Sequence, residues 1–191
     1  MMDRRFAIDG VRYRSREDID RYLQTGDWLD FTAGEALRAA ALERPGKTAI
    51  VGHDGQLTFS ILDQRSESLA ASLIEAGLQP GDRALFQIGV VKELFVLLYA
   101  CFKAGIVPVC TLPQHRDIEI GHLAKRSQAR ALFVQGDVHP TFDQLGFSRR
   151  MKAAISTIEY LGATRGAAAS DELALDNIAR CEQRRLFPHR R

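Results

Sequence analysis

The spacing of apolar residues changes repeatedly along this chain between a helical period and a strand-like one. Residues 15–24 and 32–43 carry apolar positions at helical intervals, and Thr32 with Glu35 forms a T-x-x-E capping box ahead of EALRAAAL. Pro45-Gly46 stops that helix. TAIVGHDGQLTFS predicts a hairpin, with strands 48–52 and 56–59 joined at Asp54-Gly55. Ser60 is placed to cap a helix over 61–76, where Leu62, Leu69, Leu73 and Ala76 recur on one face, and Gly77 follows at the C′ position. Pro80-Gly81-Asp82 turns the chain into the strand RALFQIG. A helix over 91–104 is apolar almost all round, which predicts burial, and a strand follows over 106–110. Next come a polar amphipathic helix over 116–127, the strand ARALFVQG, a helix near 140–153 and a strand near 157–162.

From residue 60 onward the order is helix, strand, helix, strand, and the strands are too apolar to alternate. That pattern predicts an α/β fold whose parallel sheet is covered on both faces. A helix and a β-hairpin precede it. The expected body spans residues 1–163, with 1–31 as an N-terminal extension, and an Ala/Gly/Arg-rich tail occupies 164–191. One short helix is predicted within the tail, at 171–183. No internal repeat and no long low-complexity tract is evident.

Charge narrows the classes of partner. The formal net charge is +2, yet the last eight residues, RRLFPHRR, hold four arginines and no acid, so the body is slightly acidic. A nucleic-acid surface needs clustered positive charge, and none is expected here. The start, MMDRRFAIDG, lacks the apolar core of a secretory signal. The longest apolar run, Leu94–Phe102, is far short of the roughly 20 residues that cross a bilayer. Cys101, Cys110 and Cys181 are scattered and outside CxxC spacing, which fits reduced structural cysteines and a cytoplasmic setting.

Several short motifs invite a chemical reading and fail its structural conditions. Gly46-Lys47-Thr48 ends like a phosphate-binding P-loop, but Ala41 stands where the first glycine belongs. The order there is also helix, turn, strand, so no helix N-terminus faces a phosphate. His115 and His122 are seven residues apart and His139 is further on, without the spacing of a zinc site. Gly89 alone, between a strand and a helix, is not G-x-G-x-x-G. No G-x-S-x-G occurs. Lys92 and Glu93 are most simply the exposed first turn of a helix. The residues therefore describe a sound α/β body with no recognisable active site.

The order of residues nevertheless resembles a known family. LTFSILDQRSESLAASLIEAGLQPGDRALFQIG (57–89) is similar to the first core motif region of the adenylate-forming ligases, the superfamily of acyl-CoA synthetases and peptide-synthetase adenylation domains. FKAGIVPVCTLPQHR (102–116) looks like that family's second core motif, which ends a buried helix and starts a strand. Within the superfamily, TGDWLD (25–30), QIGVVKELFVLLYACFKAG (87–105) and LPQHRDIEIGHLAKRSQARALFV (112–134) are most similar to the 2,3-dihydroxybenzoate and salicylate–AMP ligases of siderophore synthesis. Val90 departs from the Asn common there after Q-[LI]-G.

The resemblance implies the N-terminal subdomain of such a ligase, a three-layer parallel-sheet unit covering about the first third of the enzyme. The full-length family joins an aryl carboxylate to ATP with Mg, releases pyrophosphate, and passes the aryl group to the thiol of an aryl carrier protein. The Ser/Thr/Gly-rich phosphate loop that ends in Pro-Lys is absent from this sequence, and the family's catalytic lysine lies in a later domain. No catalytic, cofactor-binding or metal-binding residue is therefore assigned, and no cofactor is expected for this chain by itself. The expectation is a truncated homologue, inactive alone; the alternative is a non-catalytic scaffold module that pairs with another fragment. Exposed apolar surface and a tendency to self-associate are also expected.

Overall fold

The computed structural model describes residues 12–178 of the 191. The short tail RRLFPHRR, the start MMDRRFAIDG and Cys181 lie outside them. The order of elements is α1 (Arg16–Thr25), α2 (Ala33–Glu43), β1 (Thr48–Gly52), β2 (Gly55–Thr58), α3 (Phe59–Glu75), β3 (Arg83–Gln87), α4 (Lys92–Ala104), β4 (Val107–Cys110), α5 (Asp117–Ser127), β5 (Ala131–Gln135), α6 (Gln144–Ala154), β6 (Tyr160–Thr164), β7 (Leu173–Ala174) and α7 (Leu175–Ile178).

The helix starts follow side-chain chemistry. Thr32 Oγ1 accepts from the Glu35 amide while the Glu35 carboxylate accepts from the Thr32 amide, so the capping box of α2 closes on both sides. Helix α3 begins earlier than the sequence suggests. Its cap is Thr58, whose Oγ1 accepts from the Ile61 amide, and Ser60 already sits inside the first turn. Strand β2 runs into α3 without a linker, so the last residue of the strand doubles as the cap. Helix α4 ends at Gly105, which takes φ +72° and carries Pro80 closely against it; only glycine holds that left-handed conformation without strain.

Five parallel strands lie in the order β4-β3-β5-β6-β7, and β1 and β2 form a separate antiparallel hairpin. Along β3 and β5 successive residues face two different cores. Ala84, Phe86, Ala131 and Phe133 join Leu69, Leu73, Val96 and Leu97 on the α3–α4 side. Leu85, Leu132 and Val134 join Ile120, Ala124, Phe147 and Met151 on the α5–α6 side. Both faces of these strands are buried, which is why their sequence shows no polar alternation. Helix α4 is buried along one face only; Phe102 is 41% exposed. Trp28, Leu29 and Phe31 stand exposed in succession after α1, and Val90 and Ile118 are exposed elsewhere.

The predicted helix over 171–183 is replaced at its start by β7, which pairs with Gly162 and Ala163 of β6, and then by the single turn α7. Tertiary pairing overrides the helical pattern there, and residues 179–183 lie outside the described ones.

Ion pairs tie neighbouring elements together. Lys103 Nζ, 8% exposed on α4, meets Asp63 Oδ1 at 2.7 Å and Glu67 Oε2 at 3.1 Å on α3. At the amino end of the sheet, Arg130 bridges Asp82 before β3, at 2.7 Å, and Glu159 before β6.

Candidate functional site at the carboxyl end of the sheet

The sheet reverses direction at β3: the chain leaves it through α4 to one edge, then returns through α5 on the opposite face to β5. Open α/β sheets bind ligands beyond the carboxyl ends of their strands at such a reversal. Here the gap between the strand ends is bridged by Gln135, whose Oε1 accepts from the Gly89 amide at 3.0 Å.

Three charged residues from distant parts of the chain meet beside this gap. The hairpin turn carries Asp54 to the start of α4, where its Oδ2 accepts from the Lys92 amide at 3.1 Å. Val91, the residue at the cap position, offers no side-chain hydrogen bond, so Asp54 caps α4 from outside the helix. Arg165, just after β6, donates to the same Asp54 oxygen and to Glu93 Oε2 through Nε at 3.0 Å and Nη2 at 2.7 Å. Burial opposes ionisation of Asp54, but the Lys92 amide and the Arg165 guanidinium outweigh it and hold the carboxyl below its ordinary value. Arg165 itself takes a left-handed φ of 52°, a strained backbone that the clasp holds in place.

Next to this clasp lies a cavity of about 310 Å³. Helix α3 contributes Arg65 and Leu69 to its wall, and the end of β3 contributes Ile88. Helix α4 adds Lys92, Glu93, Val96 and Leu97; β6 adds Thr164, and α7 adds Leu175 and Asp176. Asp176 accepts from Thr164 Oγ1 and, at 2.7 Å, from the Arg165 amide. Lys92 Nζ donates to the Asp54 carbonyl at 2.9 Å.

On the other side of β3, a buried amide pair holds the loop after β4. Gln87 Nε2 donates to the carbonyls of His115 at 2.7 Å and Pro113 at 3.2 Å, and its Oε1 accepts from Gln144 Nε2 at 2.7 Å. Arg116 lies over the Phe142 ring, 3.9 Å from its centroid. The two-proline segment is thus fixed by the strand that precedes it in the sheet.

The motifs singled out from sequence fall apart in space. Gly46 lies in the turn between α2 and β1, with a strand after it. His115 Nδ1 accepts weakly from the Leu112 amide, and His139 Nδ1 accepts from the Phe142 amide at 3.1 Å. Among the described residues, no group of three or more His, Cys, Asp and Glu side chains is placed to hold a metal. Burial pushes the Cys101 and Cys110 thiols up, away from the reactive thiolate. Lys92 and Glu93, expected as an exposed helical turn, instead line the cavity, and Glu93 pairs with Arg165. That cluster was invisible in the sequence because its members stand 72 and 111 residues apart. The one local signal was an apolar residue, Val91, where α4 needed a cap.

Comparison with known proteins places these features in context. Residues 37–184 match the family model described as AMP-binding enzyme. The chain is 34% identical over 139 residues to a vibriobactin-specific 2,3-dihydroxybenzoate-AMP ligase of Vibrio cholerae, covering 73% of this chain and 25% of that protein. It is 36% identical over 146 residues to a salicyl-AMP ligase / salicyl-S-ArCP synthetase of Mycobacterium tuberculosis, covering 73% and 26%. The solved apo structure of Mycobacterium smegmatis MbtA superimposes with a TM-score of 0.79 at 28% identity, over 94% of this chain and 33% of that one. This chain therefore spans about a quarter of the length of these curated relatives.

Proposed function

This chain belongs to the AMP-binding enzyme family, and from that premise we propose that it is the N-terminal subdomain of an aryl-acid–AMP ligase of siderophore synthesis. The observation that carries the reading is the similarity, above 30% identity in each case, to ligases named for 2,3-dihydroxybenzoate and salicylate. In that reaction a carboxylate oxygen attacks the α-phosphorus of ATP and pyrophosphate departs. The thiol of an aryl carrier protein then attacks the acyl carbon, and AMP leaves with the bonding electron pair. Adenylation makes the second step feasible because AMP is a far better leaving group than oxide.

Within the described residues the chain supplies framework to this chemistry. Residues 57–89 hold α3 and β3, and residues 102–116 hold the end of α4 with β4, around the switch of the sheet. Magnesium would offset phosphate charge in such a reaction, but these residues do not offer it a donor set. Asp54 and Glu93 share the guanidinium of Arg165, and Asp176 is taken up by Thr164 and the Arg165 amide. No step is assigned to the metal on this chain. The sequence contains no Ser/Thr/Gly-rich run followed by Pro-Lys, which supports inactivity of these 191 residues by themselves.

Two measurements test the proposal. The 191-residue chain with ATP, magnesium and 2,3-dihydroxybenzoate or salicylate should release no pyrophosphate above the blank; turnover refutes the inactivity. Substituted for the matching quarter of the Vibrio cholerae ligase, it should support pyrophosphate release that depends on the aryl acid. A chimera that unfolds cooperatively and remains inert with both acids refutes the aryl-ligase reading.

A further inference from the structure

We propose that residues 171–178, which hold β7 and α7, are a hinged strap that opens as one unit and gates the cavity between α3, α4 and the carboxyl ends of β3 and β6. The inference goes beyond the adenylation reading and does not depend on it. It starts from how unequally the walls of the cavity are held. Helix α3 has 17 residues and α4 has 13, and both bury residues in the core between them and the sheet. Strands β3 and β6 each lie between two neighbours. The wall that carries Leu175 and Asp176 is built differently. Strand β7 has two residues and pairs only with β6 among the described strands, and α7 is four residues long. A single turn of helix is too short to stand by itself, and elements with few buried apolar groups are the first to open. Of residues 171–176, only Leu175 is buried.

Two carboxylates fasten the strap, one near each end. The Glu172 side chain, 3% exposed, accepts from Arg149 of α6, through Nε at 2.7 Å and Nη2 at 3.0 Å, and from the Ala169 amide at 2.8 Å. Beside it, Asp171 meets Lys152 of α6 at 3.4 Å. Toward the other end, the Asp176 carboxylate accepts from Thr164 Oγ1 and, at 2.7 Å, from the Arg165 amide. Every one of these partners lies outside the strap, so its release breaks no long helix and no inner strand. The chain that joins it to β6, GAAAS (166–170), has small and mostly exposed residues, the composition of a hinge. At the foot of that hinge Asp176 holds Arg165 at its left-handed φ of 52°, and opening relieves that strain. Opening also withdraws Leu175 and uncovers Leu69, Ile88, Val96 and Leu97 on the wall behind it.

Native-state hydrogen exchange of the ¹⁵N-labelled 191-residue chain, in urea below the unfolding transition, tests the strap. The amides of Arg165, Ala169 and Glu172 are bonded to Asp176, to Glu172 and to the Ala169 carbonyl. They should converge on one opening free energy, below that of Leu132 and Phe133 in β5. Glu172→Gln keeps the shape of the first fastening and gives up its charge. It should speed exchange at Arg165, beyond the hinge, about tenfold, the equivalent of one charge-assisted hydrogen bond of ~1.4 kcal/mol. Asp176→Asn should do the same at Ala169. The gate is read by alkylation of Val96→Cys with N-ethylmaleimide, resolved from the native cysteines by peptide mass spectrometry. The opening free energy that limits this alkylation should match that of the strap amides and not that of β5. The exchange of the parent chain needs no variant and decides even if one misfolds. Strap amides that exchange only together with β5, three unrelated opening energies, no acceleration at Arg165 in a folded Glu172→Gln chain, or alkylation that follows β5 each overturns the proposal. Pyrophosphate release plays no part in the readout, so this outcome and that of the adenylation proposal are separable.

Discussion

Replacing Asp54 should show how much the clasp contributes to the fold. Its side chain is 9% exposed and that of Arg165 is 21% exposed, so neither charge is fully hydrated. Asp54→Ala removes the outside cap of α4, a loss of about 1 kcal/mol. It also strips one anion from Arg165. Breaking a buried pair costs about 3–5 kcal/mol when the survivor has no other partner, but Arg165 is partly exposed and keeps Glu93, so about 2 kcal/mol is expected for the pair. With the cap, the expected loss is ~3 kcal/mol. Asp54→Asn keeps an oxygen for the Lys92 amide and gives up only the charge, for a loss of ~1 kcal/mol. Urea unfolding followed by far-ultraviolet circular dichroism measures both. With a slope near 2 kcal/mol per molar, Asp54→Ala should lower the midpoint by about 1.5 M and Asp54→Asn by about 0.5 M. A double-mutant cycle with Arg165→Met should give a coupling of about 1 kcal/mol or more. Equal midpoints for Asp54→Ala and the parent chain would refute the reasoning, because the cap and the ion pair would then contribute nothing.

Two further outcomes follow from the same structure. A Cβ at Gly162 would lie 2.7 Å from Phe133 Cδ1 and 3.1 Å from Leu175 Cδ2, so Gly162→Ala should cost about 2 kcal/mol through overpacking; an unchanged melting temperature would contradict it. Asp54 and Glu172 both have folded-state carboxyl pKa values below the ordinary range, Asp54 through hydrogen bonds that outweigh burial and Glu172 chiefly through Arg149. In each case the unfolded chain takes up the proton first, so their stabilisation is complete above about pH 5 and is lost as the pH falls below about 4 and through the lower folded values. The urea midpoint should decline along that acid limb, and less steeply for Asp54→Asn; parallel limbs would exclude a role for Asp54.

Much of the fold was legible because it is local. The Thr32–Glu35 box and the Gly105 stop depend on residues within a few positions of one another, and each stands where the pattern puts it. The hairpin is also where the pattern puts it, but its turn is His53-Asp54, one residue earlier than expected, and Gly55 already pairs with Gly52 as the first residue of β2. The cap of α3 was misread because a strand and a helix abut at Thr58, leaving no polar linker to mark the boundary. Strand β7 was unreadable because two residues carry no period, and only their pairing with β6 makes them a strand. The cavity escaped for a related reason. Arg65, Lys92 and Asp176 are unremarkable in their own helices, and their charges acquire meaning only when the sheet brings three helices to one edge.

The two arginine bridges also imply an order of assembly. Arg130 joins partners 29 and 48 residues away at the amino end of the sheet. Arg165 joins partners 72 and 111 residues away at the carboxyl end. Loop closure costs about 0.6 kcal/mol for each doubling of length, so the longest link is dearer than the shortest by roughly 1 kcal/mol before any other contact forms. That difference favours an order in which the end held by Arg130 forms first and the Arg165 clasp latches late, an expectation that the folding and unfolding rates of an Arg165→Met chain would check. A late latch leaves the folding rate nearly untouched and slows unfolding, so it acts on the lifetime of the native sheet.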